Sequence, residues 1–360
     1  MINGSCKYPA DKSIGYHHPL FIQKPRFLMT ILFISGVNDL STVPVLADPD
    51  GNLFPVLDGN CPILGRVPLR QEGAAYLTLF GKSVKQAQVN FAKKPSLVIN
   101  QITNADTHSG ALERCEELIR QAEAPVLNRP DEVLQSTPDR VFEKLQGVPG
   151  LVVPRTIRCQ PHSPADVFAQ AEAAGIGFPF IVRAASAHAG DDAGRVLVRN
   201  PNQQDRLDVF PMDGRDFYVT EFVDYQESSG LYNKQKLLVI DGEPVLREFL
   251  FRDTWCVDRS SREFMLTRET GAEIEARAAW FETDVLPALA DRVAEITRRL
   301  NLEFYTIGCN VRPDGTMIVF HAGPDPDVLE LRNRHESQRM KMIHQKIQGM
   351  LARRSGEVVV

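Results

Sequence analysis

Cationic side chains suited to binding phosphate lie at two places in the middle of the chain. The first is Arg183, which ends the apolar segment 178–183 and is followed by a loop of small residues, 184–194, that contains His188 and Gly190. Such a loop can lie against phosphates and donate backbone N–H groups to them, while the arginine binds phosphate oxygens from the strand. A hairpin with a structural arginine gives the same pattern, so both interpretations stay open for this segment.

The second group of cations belongs to a predicted hairpin. Lys234 and Lys236 are two residues apart, so both side chains point to one face of a strand. There they could bind phosphate or the carboxylate of a substrate; a solvated basic face is the alternative. Arg247 and Arg252 follow on the returning strand. Lys234 is therefore a candidate for binding a nucleotide, and the candidate catalytic residues are Lys236, Arg247 and Arg252.

A segment between these two groups has the alternation of a strand and ends in an acidic residue. Backbone donors and acceptors for the edge of an adenine ring would come from Thr220, Glu221, Phe222 and Val223. Asp224 would lie near the ribose. A strand that binds no ligand has the same pattern. Together with the cations, however, this segment supplies most parts of an ATP site, which requires charges for the phosphates and a slot for the base.

Hydrophobic periodicity predicts the elements that hold these residues. Near the N-terminus, apolar strands at 31–35 and 96–102 and an amphipathic helix at 109–122 predict an open α/β unit. Short strands follow in the middle of the chain, at 151–153, 178–183, 195–198, 217–223, 236–240 and 245–251. A long helix at 271–300, which Pro287 kinks or divides, precedes two closing strands at 304–311 and 317–321.

These elements predict five consecutive parts. They are a flexible arm at 1–28, an open α/β domain at 29–128, a first α+β subdomain at 129–224, a second at 225–326 and a basic amphipathic helix at 327–360. The start site is either Met1 or Met29. The last helix either packs on its own domain or binds a protein partner.

The composition argues against several classes of function. The 360 residues are 43% hydrophobic and 24% charged with a net charge of −5, whereas a nucleic-acid groove would need a concentrated basic face. No apolar stretch reaches the roughly 18 to 20 residues of a membrane span. The six cysteines are scattered singly, which favours reduced thiols in the cytoplasm over a disulfide framework or structural zinc.

Segments spread over most of the chain match one known pattern in their order. They are Asn100, Ile102 and Asp106 in the first unit, Arg183, His188 and Gly190 in the strand and loop, Tyr232, Lys234 and Lys236 at the start of the hairpin, and Trp255 after it. In this order, residues 29–330 resemble the ATP-grasp superfamily. The resemblance is strongest to the ATP-grasp domain of bacterial tetratricopeptide-linked proteins, and it extends to ligases of the glutathione synthetase and ribosomal-protein glutamate ligase type.

The resemblance implies an ATP-grasp fold, in which an N-terminal open α/β domain precedes two α+β subdomains that clasp ATP. It also implies an ADP-forming ligase that joins a carboxylate to an amine through an acyl phosphate, on a small amino acid or peptide. Arg183 would contact the α- and β-phosphates, and Arg140 would supply a second cation. His188 and Gly190 would belong to the covering loop, and residues 220–223 would form the adenine hinge.

The same resemblance implies three magnesium ligands on the last two strands, an Asp on the first and a Glu and an Asn on the second. In this sequence Asn310, His321 and Gly323 are assigned to those positions. An amide and an imidazole are poor ligands for a hard cation that prefers charged oxygen. The expected cofactors are therefore ATP and Mg²⁺, with Asn310 and His321 as the candidate metal residues of a degenerate site.

Three functions compete at this point. The first is an active ligase with a modified metal site, acting on a small molecule or peptide with a carboxylate and an amine acceptor, for which a homodimer is one possible state. The second is a nucleotide-binding pseudoenzyme with a regulatory or scaffold role, which reaches a protein partner through its C-terminal helix. The third is transfer chemistry with a softer metal bound by His321, for which the sequence offers no third ligand.

Overall fold

The structure is a computed structural model of the chain, and it describes residues 31–47, 50–69, 74–81, 94–186, 194–330 and 336–355. The predicted arm at 1–28 lies outside these residues, as do His188 and Gly190 of the loop after Arg183. The described residues form three main sheets.

The first sheet is parallel and belongs to the N-terminal unit. Its strands, in spatial order, are β4 (Ala75–Leu79), β1 (Ile31–Gly36), β5 (Leu97–Asn100) and β6 (Val126–Leu127). β1 is buried along its whole length, as expected for a parallel strand that is covered on both faces. A hairpin of β2 (Val45–Ala47) and β3 (Leu53–Pro55) and the short helix α1 (Ile63–Arg66) come between β1 and β4 in the chain.

The helix α2 (Ser109–Ala122) covers this sheet and has the predicted bounds. Its spacing of three and four residues puts one apolar stripe on the sheet, formed by Ala111, Leu112, Cys115, Leu118, Ile119 and Ala122. After β6, Asn128 connects this unit to the rest of the molecule. Its side-chain oxygen accepts hydrogen bonds from the backbone N–H groups of Glu303 at 3.1 Å and Phe304 at 3.0 Å.

The second sheet is antiparallel. Its strands, in spatial order, are β10 (Arg195–Val198), β9 (Phe180–Ala184), β11 (Phe217–Glu221) and β8 (Thr156–Cys159). Helix α5 (Pro164–Ala173) begins where the Ser163 hydroxyl accepts a hydrogen bond from the N–H of Asp166. Its residues Val167 and Ala171 pack on the apolar side of the sheet, which leaves the other side for the site.

The third sheet contains five strands. In spatial order they are β13 (Glu243–Arg252), β12 (Tyr232–Ile240), β14 (Phe304–Val311), β15 (Met317–Gly323) and β7 (Leu151–Val152). The predicted hairpin turn lies at Asp241 and Gly242, whose φ angles of 54° and 85° are those of a two-residue turn between twisted strands. β7 pairs in parallel with β15 and brings the chain back beside the second sheet.

Helices pack around the third sheet. They are α3 (Pro130–Leu134), α4 (Pro138–Leu145), α6 (Ser261–Arg268), α7 (Gly271–Trp280) and α8 (Ala290–Leu300). The long helix that the sequence predicts is divided, as expected from Pro287. A π-helical turn at Phe281–Val285 and a 3-10 turn at Leu286–Leu289 separate α7 from α8, because the proline has no N–H to continue an α-helical ladder.

The C-terminal helix α9 (Glu336–Ser355) packs on its own chain. Its apolar side chains, which are buried, are Met340, Ile343, Ile347, Met350 and Leu351. They share a core with residues of β1, β5 and β12. Among the helices described, none has the length and apolar character that crossing a membrane requires.

Candidate functional site

The site is a cleft between the second and third sheets, and it has two chambers. One chamber lies against the end of β11 and has a volume of about 1100 Å³, which includes space open to solvent. The other reaches the N-terminal unit and has a volume of about 1210 Å³, again including open space. Arg183, Lys234 and His321 line both chambers and mark the junction between them.

The first chamber is a slot with aliphatic walls. Its walls include Val153, Ile181, Val223 and Val319. The backbone that leaves β11 forms one edge, where the N–H of Phe222 donates to the carbonyl of Pro179 at 3.1 Å. The Phe222 ring packs edge-on against Trp255 at a centroid distance of 5.9 Å. Such a slot, apolar on its faces and polar along one edge, suits a flat heteroaromatic base.

Arg183 is held at the junction by an aromatic neighbour. It lies on β9 directly opposite Tyr218 of β11, with its guanidinium carbon 4.7 Å from the centre of the Tyr218 ring. The Tyr218 hydroxyl donates to Asp106 at 2.7 Å, and Arg158 donates to the same carboxylate oxygen at 3.0 Å. Burial, and then the charge of Arg195, lower the pKa of Arg183 to about 10, so the guanidinium stays charged at neutral pH.

Lys234 is the second cation at the junction. Its ammonium lies 6.0 Å from the centre of the Phe320 ring, and no hydrogen bond or ion pair to it is found within the described ranges. Burial, followed by the charges of Arg195 and Lys236, lowers the pKa of Lys234 to about 8. The ammonium is therefore still charged at neutral pH, in a place where a bound anion would be stabilised.

His321 faces the same junction from β15. Its Nε2 atom is buried and has no hydrogen-bond partner among the residues that the structure describes. Burial lowers the pKa of His321 to about 4, with Asp325 opposing the shift and Lys236 and Lys234 adding to it. The imidazole is therefore neutral, and as the Nε2–H tautomer it can donate one hydrogen bond to a ligand.

The second chamber is lined by charges of both signs. Lys236 forms an ion pair with Asp325, and Arg259 forms one with Asp327. Glu248 pairs with Arg262, and Asp106 contributes a carboxylate from the N-terminal unit. Because both signs are present, this lining offers partners to a zwitterion or to two substrates of opposite charge.

The cleft contains most of the predicted nucleotide residues. Arg183, Lys234, residues 220–223 and His321 line the first chamber, and Lys236 lines the second. His188 and Gly190 lie outside the described residues. Tyr218 had no role in the sequence analysis, and Asp106 entered it only as part of the resemblance. The signal for Tyr218 is the strand alternation, because Tyr218 points to the same side of β11 as Thr220.

Several predicted residues do not line either chamber as the described residues define them, and each is held elsewhere. Arg140 pairs with Glu143 on the surface of α4 at 3.3 Å. Arg247 is buried on the opposite face of β13 from Glu248, where its Nε donates to the carbonyl of Val328 at 2.8 Å. These contacts give both side chains structural partners.

Arg252 and Asp224 also lie outside the lining. Arg252 donates to the hydroxyl of Ser260, beyond the end of the hairpin. The backbone carbonyl of Asp224 accepts a hydrogen bond from Arg312 at 3.0 Å. Neither residue lines the two chambers. Among the described residues, the cations that do are Arg183 of β9, Arg195 of β10, Lys234 and Lys236 of β12, and Arg259.

The predicted metal residues are not brought together. Asn310 is buried beneath the sheet surface, and its Nδ2 donates to the backbone and side-chain oxygens of Asn233 at 3.1 and 2.7 Å. Opposite His321 lies Gly308, whereas Asn310 pairs with Ile318. A β-bulge between Gly308 and Cys309 shifts the register of the two strands at this point.

No protein-family model matches the sequence, and no curated protein matches it in sequence. Solved structures match the fold. The D-alanine–D-alanine ligase from Bacillus anthracis is 13% identical over 91% of this chain and 97% of that chain, with a TM-score of 0.52. Its complex with ATP is 12% identical over the same shares of the chains, with a TM-score of 0.50. The VanG D-Ala:D-Ser ligase from Enterococcus faecalis is 11% identical over 89% of this chain and 99% of that chain, also with a TM-score of 0.50.

Proposed function

Because the chain has the ATP-grasp fold, with an open α/β domain before two α+β subdomains, we propose that it binds ATP in the cleft and joins a carboxylate to an amine. One observation carries this proposal: a slot for a base and a chamber of mixed charge meet at Arg183, Lys234 and His321. Phosphoryl transfer from a nucleotide to a second molecule requires such a junction, since catalysis depends on positioning and on charge stabilisation.

The first chamber would hold the adenine ring. Ile181 and Val319 lie on its walls. The N–H groups of Glu221 and Phe222 donate to the carbonyls of Arg155 and Pro179, so the N–H of Val223 would donate to a ring nitrogen and a carbonyl of residues 221–223 would accept from the amino group. The ligase from Bacillus anthracis that matches the fold was solved as a complex with ATP, which supports a nucleotide as the occupant. The phosphates would then extend toward Arg183 and Lys234.

The second chamber would hold the substrates. A carboxylate oxygen of the acid would attack the terminal phosphorus, forming an acyl phosphate and releasing ADP. The nitrogen of the amine would then attack the acyl carbon, forming the amide, and phosphate and a proton would leave. The charges of Lys236, Asp325 and Asp106 fit a small amino acid or peptide, which carries both a carboxylate and an ammonium group.

A second candidate is a nucleotide-binding protein that does not turn over. It is favoured by one observation: neither Gly308 nor Gly323 has a side chain, and His321 is a neutral imidazole, so the ends of β14 and β15 carry no carboxylate at the junction. In that case the bound nucleotide would stabilise one conformation of a regulatory or scaffold protein. A partner would have to bind a surface other than the apolar face of α9, because that face is buried.

Release of ADP and phosphate distinguishes the two candidates. The purified chain is incubated with ATP and pooled amino acids and dipeptides, and Lys234→Met serves as the impaired variant. A ligase releases ADP only when an acid and an amine are both present. Thermal stabilisation by ATP without any release would support the second candidate. The absence of stabilisation by ATP, ADP or adenosine would rule out both.

A further inference from the structure

The expected magnesium site, on the facing strands β14 and β15, lacks the ligands that this ion requires. The residues that face the cleft there are Thr306, Gly308 and His321, with Gly323 beside them. They provide one hydroxyl, which donates to the carbonyl of Gly323 at 3.3 Å, and one imidazole. Mg²⁺ requires near-octahedral oxygen coordination, usually with carboxylates. In the described ranges no group of three His, Cys, Asp or Glu residues is placed to hold a metal.

Three carboxylates that line the second chamber are engaged with cations of the protein. Asp325 pairs with Lys236, and Asp327 pairs with Arg259. Glu248, on β13, pairs with Arg262. To bind a metal, each carboxylate would have to give up its partner and leave a cation behind in a partly buried cleft, which is unfavourable.

A cation of the protein occupies the space instead. A Cβ atom added to Gly308 would stand 3.2 Å from Cε and 3.8 Å from Nζ of Lys234. It would also stand 3.6 Å from Cβ of His321. The missing side chain at Gly308 therefore leaves room for the Lys234 ammonium directly across from His321.

The surroundings of Lys234 favour the binding of an anion. No carboxylate pairs with the ammonium in the part of the chain that the structure describes, and an unpaired charge is costly to bury. Arg183 lies in the same junction, and the buried Nε2 of His321 can donate a hydrogen bond. Two cations and one neutral donor converge on one place, which is the lining that phosphate groups need in the absence of an ion.

We propose that the nucleotide site of this chain works without a divalent metal, with the Lys234 ammonium in the place of the ion and Arg183 as the second charge on the phosphates. The inference rests on the proposed binding of ATP in the cleft. It adds that free ATP, rather than its magnesium complex, is the form that the site recognises.

Calorimetric titration of the full chain with ATP and with adenosine tests this inference. ATP should bind in excess EDTA with an affinity within about threefold of that in MgCl₂, because the fixed cations replace the ion. Binding of ATP only in MgCl₂ would overturn the inference and leave the proposed function intact. Failure of both ATP and adenosine to bind would overturn both.

A pair of lysine variants tests whether Lys234 is responsible for the binding of ATP without a metal. Lys234→Met keeps the length of the side chain and removes its charge, so ATP affinity in EDTA should fall by roughly tenfold or more while adenosine affinity stays the same. Lys346→Met, which removes a surface lysine paired with Glu243, is the matched control and should change neither. Unchanged ATP affinity in Lys234→Met would contradict the proposal. If that variant does not fold, the comparison of EDTA with MgCl₂ on the unaltered chain decides.

Discussion

Gly308 lies against the side chain of Lys234, so that a Cβ atom at this glycine would stand 3.2 Å from Cε of the lysine. The glycine and the lysine belong to neighbouring strands, β14 and β12, and both line the cleft. Their contact links two properties of the site. Gly308 and His321, which face each other on β14 and β15, carry no carboxylate, and the missing side chain at Gly308 leaves room for the ammonium group of Lys234.

Gly308→Asp should weaken the binding of free ATP. The new carboxylate would lie within ion-pair distance of Lys234 and compete with the phosphates for its charge, so affinity in EDTA should fall by roughly tenfold. Gly177→Asp is the matched control, because that glycine is exposed and no atom lies within 4 Å of an added Cβ. Equal affinities in the two variants, measured by calorimetry, would contradict the placement of the phosphates.

Binding of an adenine nucleotide should change the fluorescence of Trp255. The sequence contains two tryptophans, and Trp255 lines the first chamber whereas Trp280 is 56% exposed on α7. Stacking or contact with a base alters the emission of an indole ring, so ATP should change the signal of Trp280→Phe and leave Trp255→Phe silent. A signal that survives in Trp255→Phe would place the base elsewhere.

Tyr218→Phe should lower stability more than a matched surface change. Tyr218 is fully buried, and its hydroxyl is one of two donors to Asp106, so its loss leaves a largely buried carboxylate with less compensation. We expect the free energy of unfolding in urea to fall by about 1–2 kcal/mol. Tyr76→Phe, which removes a hydroxyl bonded to Ser35 on a half-exposed ring, should cost less. Equal losses of stability in the two variants would mean that the hydrogen bond to Asp106 contributes no more than the hydrogen bond of Tyr76 to Ser35.

Asn128→Gly should destabilise the connection between the first and third sheets. Its backbone has a φ of 54°, which glycine tolerates, so the change removes side-chain hydrogen bonds without adding strain. Three hydrogen bonds connect the Asn128 side chain to the backbone of Glu303 and Phe304. Their loss should reduce the free energy of unfolding by roughly 2–3 kcal/mol.

Asn301→Gly is the control for this change. It has the same φ of 54° at the end of α8, but its side chain bonds only to Glu132 at the surface. We expect its unfolding curve to lie within about 0.5 kcal/mol of the unaltered chain. A cost in Asn301→Gly that equals the cost in Asn128→Gly would show that the backbone, and not the side-chain bonds, determines the result.

Much of the fold follows from local patterns in the sequence. Helix α2 and strands β10 and β14 have the predicted bounds, and Pro287 divides the long helix as expected. These elements have strong periodicity or a backbone constraint of their own. β4 and the β2–β3 hairpin were not predicted, because their side chains are largely exposed and give little apolar signal.

The sequence placed only some of the cations in the cleft. Two-residue spacing was enough to put Lys234 and Lys236 on one face of β12, and both line the cleft, whereas Arg140, Arg247 and Arg252 do not. Spacing alone could not identify the residue that lies opposite His321, because the bulge next to Gly308 makes Phe320 an extra residue on β15, and nothing in the periodicity indicates a bulge.

A crystal structure of the full chain with ATP, grown in EDTA, tests the central claim most directly. The measurement is the distance from Nζ of Lys234 to the nearest phosphate oxygen. We expect about 2.7–3.2 Å, with the adenine ring against the backbone of residues 221–223 and the phosphates between Lys234 and Arg183. A nucleotide that binds outside the cleft, or phosphates that do not contact the ammonium of Lys234, would contradict it.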